Sequence, residues 1–278
     1  MLKYEVPAHK DWLANLQKAK LSTGIEMAYM EMGSTDAPPL IIAHGFSDTS
    51  RSTRALSLTL AEHFHVFALD ERGHGQSDKP EQFAYMPIQL GADILALADY
   101  LGLDRFYLCG QSMGSMAAQS AAFTQPGRII RLALLSTMCR FKNSAEELEA
   151  QRRNFRRYAT NPPTLEEELP TAGSFADQEF GSYFYPEMRT WPMHARLAAW
   201  YGMQLTDNRR FLQYIDAPTI VFWGEHDDIV LPEWREEFRA CMPDAEYVEL
   251  PGCSHEIQQE KPAEIAARLV KFMLGESK

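Results

Sequence analysis

The sequence predicts an α/β fold: a mostly parallel central sheet with helices on both faces, interrupted by a helical cap insertion. Three observations carry this reading. Short apolar runs alternate with helix-like stretches at the spacing of strand–helix–strand units. The runs are apolar at every position, as in strands covered on both faces. One of them, Phe106-Tyr107-Leu108-Cys109, leads through Gly110-Gln111-Ser112-Met113-Gly114 into a run of small and apolar residues. Such a strand–turn–helix junction lifts a serine hydroxyl to the edge of a sheet.

The elements follow in order. Residues 25–32 alternate loosely, the pattern of an edge strand. Leu40-Ile41-Ile42-Ala43, Val66-Phe67-Ala68-Leu69, Phe106-Tyr107-Leu108-Cys109, Leu132-Ala133-Leu134-Leu135 and Thr219-Ile220-Val221-Phe222-Trp223 read as central parallel strands. Residues 246–250 read as one more. Amphipathic stretches at 88–101, 112–124, 234–241 and 262–274 read as the covering helices. The alternation breaks from Cys139 to Ile215. That stretch carries Arg152, Arg153, Arg156 and Arg157, five prolines (Pro162, Pro163, Pro170, Pro186, Pro192) and the aromatics Tyr183, Phe184, Tyr185, Trp191, Trp200 and Tyr201. Residues 139–215 are therefore expected to form the cap, on a core built from 1–138 and 216–278. No internal repeat or low-complexity segment stands out.

Composition narrows the function. The 278 residues are 45% hydrophobic and 23% charged, ordinary for a globular protein with a buried sheet. A formal net charge of −11 argues against nucleic acid and against an anionic membrane surface as partners. Cys109, Cys139, Cys241 and Cys253 have neither a C-x-x-C pair nor zinc spacing, and Cys109 reads as a small hydrophobe of a core strand. The opening residues, Met1 to Pro7, lack the apolar run of a signal peptide, and no 18-residue apolar stretch exists. A cytoplasmic location is expected, with a small molecule as partner, no cofactor and no metal. A homodimer stays open.

The chemistry-bearing residues sit at the ends of the strand-like runs. Gly-x-Ser-x-Gly alone recurs by chance in roughly one chain in ten of this length, so its weight comes from context. Gly110 and Gly114 flank the tip, Ser112 is the candidate nucleophile, and the Met113 amide opens the helix where an oxyanion would form. After the first central run comes His44-Gly45-Phe46, and the Phe46 N–H is the candidate second oxyanion donor. After the second comes Asp70-Glu71-Arg72-Gly73-His74-Gly75-Gln76-Ser77-Asp78, read as a tight structural loop held by a local salt bridge, with His74 a packing histidine. After the last comes Gly224-Glu225-His226-Asp227-Asp228, where a carboxylate can orient an imidazole. Pro251-Gly252-Cys253-Ser254-His255 precedes the final helix, and its histidine can reach both serine and acid.

These five segments, in this order, resemble the α/β-hydrolase superfamily from about Thr23 to Leu274. The resemblance implies a metal-free serine hydrolase with a Ser112–His255–Asp227 triad and the Phe46 and Met113 amides as oxyanion hole. The family's usual proline four residues after the acid points instead to Asp228, because Pro232 lies four after Asp228 and five after Asp227. The glycine spacing favours Asp227. Where many relatives carry a Trp beyond the oxyanion loop, this chain has Ser47 and Asp48 followed by Arg51-Ser52-Thr53-Arg54.

Other residues have plainer readings. His226 is a surface neighbour of the acid, and His63 and His65 are surface histidines. His194 is a cap residue, a substrate contact being its lesser reading. The arginines 152, 153, 156 and 157 share a helix face, read as solvated and pairing with Glu146, Glu147 and Glu149 in preference to clamping an acidic substrate. Met113, Met138, Met193 and Met203 could line an apolar pocket, with Met116 in the core. The leading function is hydrolysis of a carboxylic ester or lactone through an acyl-enzyme. The alternatives are carbon–carbon hydrolysis of a dienoate, and a non-catalytic small-molecule sensor on the same scaffold. Dienoate hydrolases often carry an aromatic after the histidine; here Glu256 follows.

Overall fold

The computed structural model describes residues 8–82, 84–141, 143–160, 187 and 191–275, and at 151 and 154–160 the backbone alone. Eight strands form one sheet: β1 (Gln17–Lys20), β2 (Glu26–Met32), β3 (Pro39–Ala43), β4 (His65–Leu69), β5 (Phe106–Gln111), β6 (Ile129–Leu135), β7 (Thr219–Gly224) and β8 (Glu246–Leu250). Their order is β1-β2-β4-β3-β5-β6-β7-β8. β2 runs antiparallel to both of its neighbours, β1 and β4, and every other pairing is parallel.

The side-chain period of two divides each apolar run between two cores. Ile41, Phe67, Leu69, Leu108, Leu132, Leu134 and Val221 point one way. They pack on α3 (Pro87–Tyr100) and α4 (Met113–Thr124) through Ile94, Leu97, Met116 and Ala117. Leu40, Ile42, Val66, Ala68, Cys109, Ala133, Ile220 and Phe222 point the other way. They meet α1 (His9–Ala14), α2 (Arg54–Leu60) and a C-terminal helix over Pro262–Leu274, through Trp12, Leu56, Leu60, Ile265 and Leu269. Cys109 is thus the small core hydrophobe expected of it. The remaining described helices are α5 (Ala145–Thr160), α6 (Met193–Leu205), α7 (Pro232–Cys241) and α8 (Ile257–Glu260), which makes the C-terminal helix α9. No helix among the described residues is long and apolar enough to cross a membrane.

Three expectations need correction. Residues 25–32 do not form an edge strand, because β1 pairs outside β2. β1 is the four-residue segment QKAK with only Ala19 buried, too short and polar to signal itself. Arg51 to Arg54 lie in a buried 3₁₀ turn (Ser50–Thr53) running into α2. The salt bridge of the Asp70 loop is not local: Arg72 makes a bidentate pair with Asp93 on α3 at 2.7 Å, while Asp70 accepts the Ser50 and Gln76 amides at 2.8 Å. His65 is not a free surface residue, since it opens β4 and bonds Glu31 at 2.7 Å. His63 and His226 do lie exposed.

The insertion leaves after β6 and returns before β7. Arg140 forms a backbone bridge with Asp207, and the Asn208 amide donates to the Cys139 carbonyl at 2.9 Å. Arg140 and Arg209 both pair with Glu237 on α7. Tyr183, Phe184 and Tyr185, and Pro162, Pro163, Pro170 and Pro186, lie outside the described residues. Arg152 and Arg153 are exposed and pair with Glu149, as the solvated-face reading expects; Arg156 and Arg157 fall where side chains are not described.

Candidate active site

Parallel strands deliver their following loops to one edge of a sheet, and a crevice opens where neighbouring strands connect in opposite directions. Here β4 and β5 flank β3. Residues 44–46 follow β3, Ser112 follows β5, Asp227 lies three residues beyond β7, and His255 lies five beyond β8.

Ser112 has φ 48° and ψ −113°, a strained conformation for a residue with a side chain. The turn is this tight because its flanks are bare. A Cβ on Gly110 would strike the Gly114 carbonyl, and one on Gly114 would strike the carbonyls of His44 and Ala43. The Ser112 amide donates to Leu135 and the Gly114 amide to His44, at 2.9 and 3.0 Å, so the elbow is tied to both neighbouring strands.

The histidine arrives from the other side. Ser112 Oγ lies 2.9 Å from His255 Nε2, and His255 Nδ1 lies 2.9 and 3.0 Å from the two Asp227 oxygens. Asp227 Oδ1 also accepts the Ile229 and Val230 amides at 2.9 and 2.8 Å. Asp228 turns away and stands exposed. The glycine spacing, not the proline spacing, thus points to the carboxylate that faces the imidazole. Neither the Phe46 nor the Met113 amide donates to another group among the described residues.

The alpha/beta hydrolase fold family matches residues 38–262 of this chain. The chain is a member of that family. Epoxide hydrolase A of Mycobacterium tuberculosis is 26% identical over 309 residues, covering 91% of this chain and 96% of that protein. The pimeloyl-[acyl-carrier protein] methyl ester esterase of Nitrosospira multiformis is 27% identical over 262 residues, with coverage of 85% and 95%. A thermophilic esterase from Thermogutta terrifontis superposes with a TM-score of 0.79 at 25% identity, covering 94% of this chain and 98% of that one. These relatives are named for different reactions, on epoxides and on esters.

The hydrolase's electrostatics follow from burial and pairing. Burial pushes against a charged His255, but the hydrogen bond and charge of Asp227, helped by Glu256 and Asp228, raise its pKa above the ordinary 6.5. Burial would raise Asp227; the bond to His255 and the Val230 and Ile229 amides outweigh it and hold the carboxyl low. An ionised Asp227 keeps the ring proton on Nδ1, leaving Nε2 as an acceptor toward Ser112. His44 is neutral for a different reason. Its buried ring accepts the Glu71 amide at Nε2 and sets Nδ1 2.7 Å from the Gly45 carbonyl, which fixes both its tautomer and the oxyanion loop. Burial, with the charge of Glu256 adding, drives the Asp48 carboxyl well above its usual range.

A cavity of about 440 Å³ opens above Ser112. Phe46, Phe141, Trp200, Met203 and Trp234 give it an apolar wall. Phe141 meets Trp200 and Trp234 with ring centroids 5.8 and 5.6 Å apart. Trp191 stands behind Phe46 at 5.0 Å and packs on His74 at 4.3 Å, which makes His74 the packing histidine foreseen. Of the methionines considered for a pocket, Met203 lines this one, and Met113, Met116 and Met138 are buried. His194 bonds the Lys79 carbonyl at 3.1 Å and does not line the cavity.

Two positioning residues escaped sequence reasoning. Ser136, with φ 48°, donates to the His255 carbonyl at 2.7 Å. Arg235 on α7 holds the acid loop by donating to the Val230 and Asp227 carbonyls at 2.8 and 3.3 Å. Ser136 carried a usable signal, as the first polar residue after an apolar strand at the same sheet edge. Arg235 carried none.

Proposed function

We propose that this hydrolase cleaves the carboxylic ester or lactone bond of a small molecule, with Ser112 as nucleophile, His255 as general base and acid, and Asp227 as the orienting carboxylate. The single observation behind the reading is the unbroken line from Ser112 Oγ through both His255 nitrogens to Asp227, each step 3.0 Å or less. In this scheme His255 Nε2 takes the Ser112 proton as Oγ attacks the carbonyl carbon. The Phe46 and Met113 amides hold the oxyanion, each worth about 3 kcal/mol by comparison with single-donor losses. His255 returns the proton to the departing alkoxide. Water then attacks the acyl-enzyme by the same route and frees the acid. Residues 139–215 act as a cap in this proposal. Phe141, Glu147, Trp200 and Met203 from that segment line the cavity, and this is the ground for assigning it substrate choice.

A panel of short- and long-chain esters, lactones and dienoates tests the reaction class. Turnover of esters or lactones that survives EDTA is the expected result. Turnover of dienoates alone, or loss with EDTA and rescue by zinc, would count against it.

The pH profile follows from His255. Only the neutral ring accepts a proton, and a raised pKa moves the loss of activity to higher pH. The acid limb of kcat/KM on a neutral ester is expected to have its midpoint above 6.5. Asp228→Asn and Glu256→Gln should each move it down, because both charges help hold the proton. A limb below 6.5 in the unaltered enzyme would contradict the assignment.

A further inference from the structure

Four buried polar side chains run in a row from the elbow to the point where residues 139–215 rejoin the sheet. They are Ser115 and Gln119 on α4, Thr137 just past β6, and Asn208, and none is more than 4% exposed. Ser115 and Gln119 stand four residues apart and share one face of α4. Asn208 Nδ2 lies 2.9 Å from Gln119 Oε1. Gln119 Nε2 lies 2.8 Å from Thr137 Oγ1 and 3.0 Å from the Met138 carbonyl. Thr137 Oγ1 lies 2.7 Å from Ser115 Oγ, which lies 2.5 Å from the Ser112 carbonyl. None of the four lines the cavity.

One group fixes the direction of every proton in the row. The Met138 carbonyl can only accept, so the Gln119 amide turns its nitrogen to Met138 and Thr137 and its oxygen to Asn208. Asn208 therefore donates to Gln119, and Gln119 to Thr137. A hydroxyl has a single proton. Thr137 gives its proton to Ser115, and Ser115 gives its own to the Ser112 carbonyl. Any other order leaves a buried proton without an acceptor, at the full cost of its lost hydration. All the donors thus point from Asn208 toward Ser112. The peptide that begins at the Ser112 carbonyl ends at the Met113 N–H, on the opposite side of one rigid plane. Donation to the carbonyl holds that plane and draws electron density from the nitrogen, and bonds aligned head to tail reinforce one another. The Ser115 and Met116 amides reach the same carbonyl at 2.9 and 3.3 Å, so the row tunes a peptide that the helix already holds. At the other end, the Asn208 amide donates to the Cys139 carbonyl at 2.9 Å, beside the Arg140–Asp207 bridge.

We infer that Ser115, Thr137, Gln119 and Asn208 are positioning residues for the Met113 N–H, and that closure of segment 139–215 at its root helps to set the strength of the oxyanion hole. The inference rests on the ester-hydrolase reading above and adds a control on that same site. The four residues act through the Ser112–Met113 peptide and not on the substrate.

The test measures kcat and KM on a neutral nitrophenyl ester. Ser115→Ala and Thr137→Val should each lower kcat by about 5-fold to 10-fold and leave KM within about 2-fold, a fraction of the loss when an oxyanion donor itself is removed. Thr137→Ser keeps the hydroxyl and loses a methyl, and its kcat should stay within about 2-fold of the unaltered protein. Asn208→Ala should lower kcat by about 3-fold. The double variant Asn208→Ala, Ser115→Ala should be no slower than Ser115→Ala alone, because Asn208 acts through Ser115. Losses that multiply in the double variant, or a Thr137→Ser enzyme slower than Thr137→Val, overturn the inference and leave the ester-hydrolase reading standing. Failure of the unaltered protein to hydrolyse any ester overturns that reading instead. Amide NMR then decides the inference separately, since the Met113 nitrogen reports on hydrogen bonding to the Ser112 carbonyl. Its resonance should move in Thr137→Val and in Asn208→Ala and stay in place in Thr137→Ser. A Met113 resonance unmoved in the first two overturns it.

Discussion

Ser112→Ala is expected to lower kcat toward esters by about 10⁶-fold, the scale of loss when a nucleophile is taken from a hydrogen-bonded triad. The variant keeps Cβ and removes only Oγ, so the turn at φ 48° and its ties to Leu135 and His44 stay in place. Circular dichroism and the thermal midpoint should therefore stay near those of the unaltered protein. A fluorophosphonate probe should label the unaltered protein at Ser112 alone and leave the variant untouched. Labelling that persists in the variant would place the nucleophile elsewhere.

Asp227→Asn should lower kcat by about 10⁴-fold, and the hydrogen bonds around the carboxylate explain the size. Oδ1 accepts two backbone amides, from Ile229 and Val230, so that position must remain an oxygen. The new amide nitrogen is then forced into the place of Oδ2, 2.9 Å from His255 Nδ1. An N–H now donates to Nδ1 and drives the ring proton to Nε2. In that tautomer His255 cannot take the Ser112 proton. Asp228→Asn leaves this arrangement intact and should cost less than about 10-fold on a neutral ester at pH 8, in keeping with an exposed charge. The reverse ranking, read by stopped-flow or steady-state kinetics, would make Asp228 the acid.

The parts of this architecture that were legible in the sequence are those whose physics is local. Central strands announce themselves because burial on both faces makes every residue apolar, as in Leu40 to Ala43. The turn at Ser112 is visible because two glycines are needed where carbonyls crowd a Cβ. β1 was invisible, since a four-residue polar strand is made by the neighbour it pairs with. Arg72 was assigned a local partner because sequence shows nearest neighbours, whereas its carboxylate comes from Asp93 on a helix packed across the loop. The ambiguity between Asp227 and Asp228 reflects the same limit. Adjacent residues in a loop point in opposite directions, and only the Ile229 and Val230 amides decide which one turns inward. Glu147, Asp228 and Glu256 were equally hidden as neighbours at the cavity, since they come from three distant segments that meet only in space.

The paired backbone at Arg140 and Asp207 has a bearing on how such a protein can change over generations. The chain leaves and re-enters the sheet layer at one point, so β6 and β7 keep their register whatever lies between them. The entropic cost of lengthening a closed loop rises slowly, by only about 0.6 kcal/mol per doubling. Insertions, deletions or wholesale exchange of the intervening segment therefore fall on a part of the molecule that the sheet does not depend on for its alignment. The sheet edge that carries Ser112, Asp227 and His255 can be inherited intact while the segment between β6 and β7 is rewritten, and a laboratory graft that respects the Arg140–Asp207 closure starts with the same advantage.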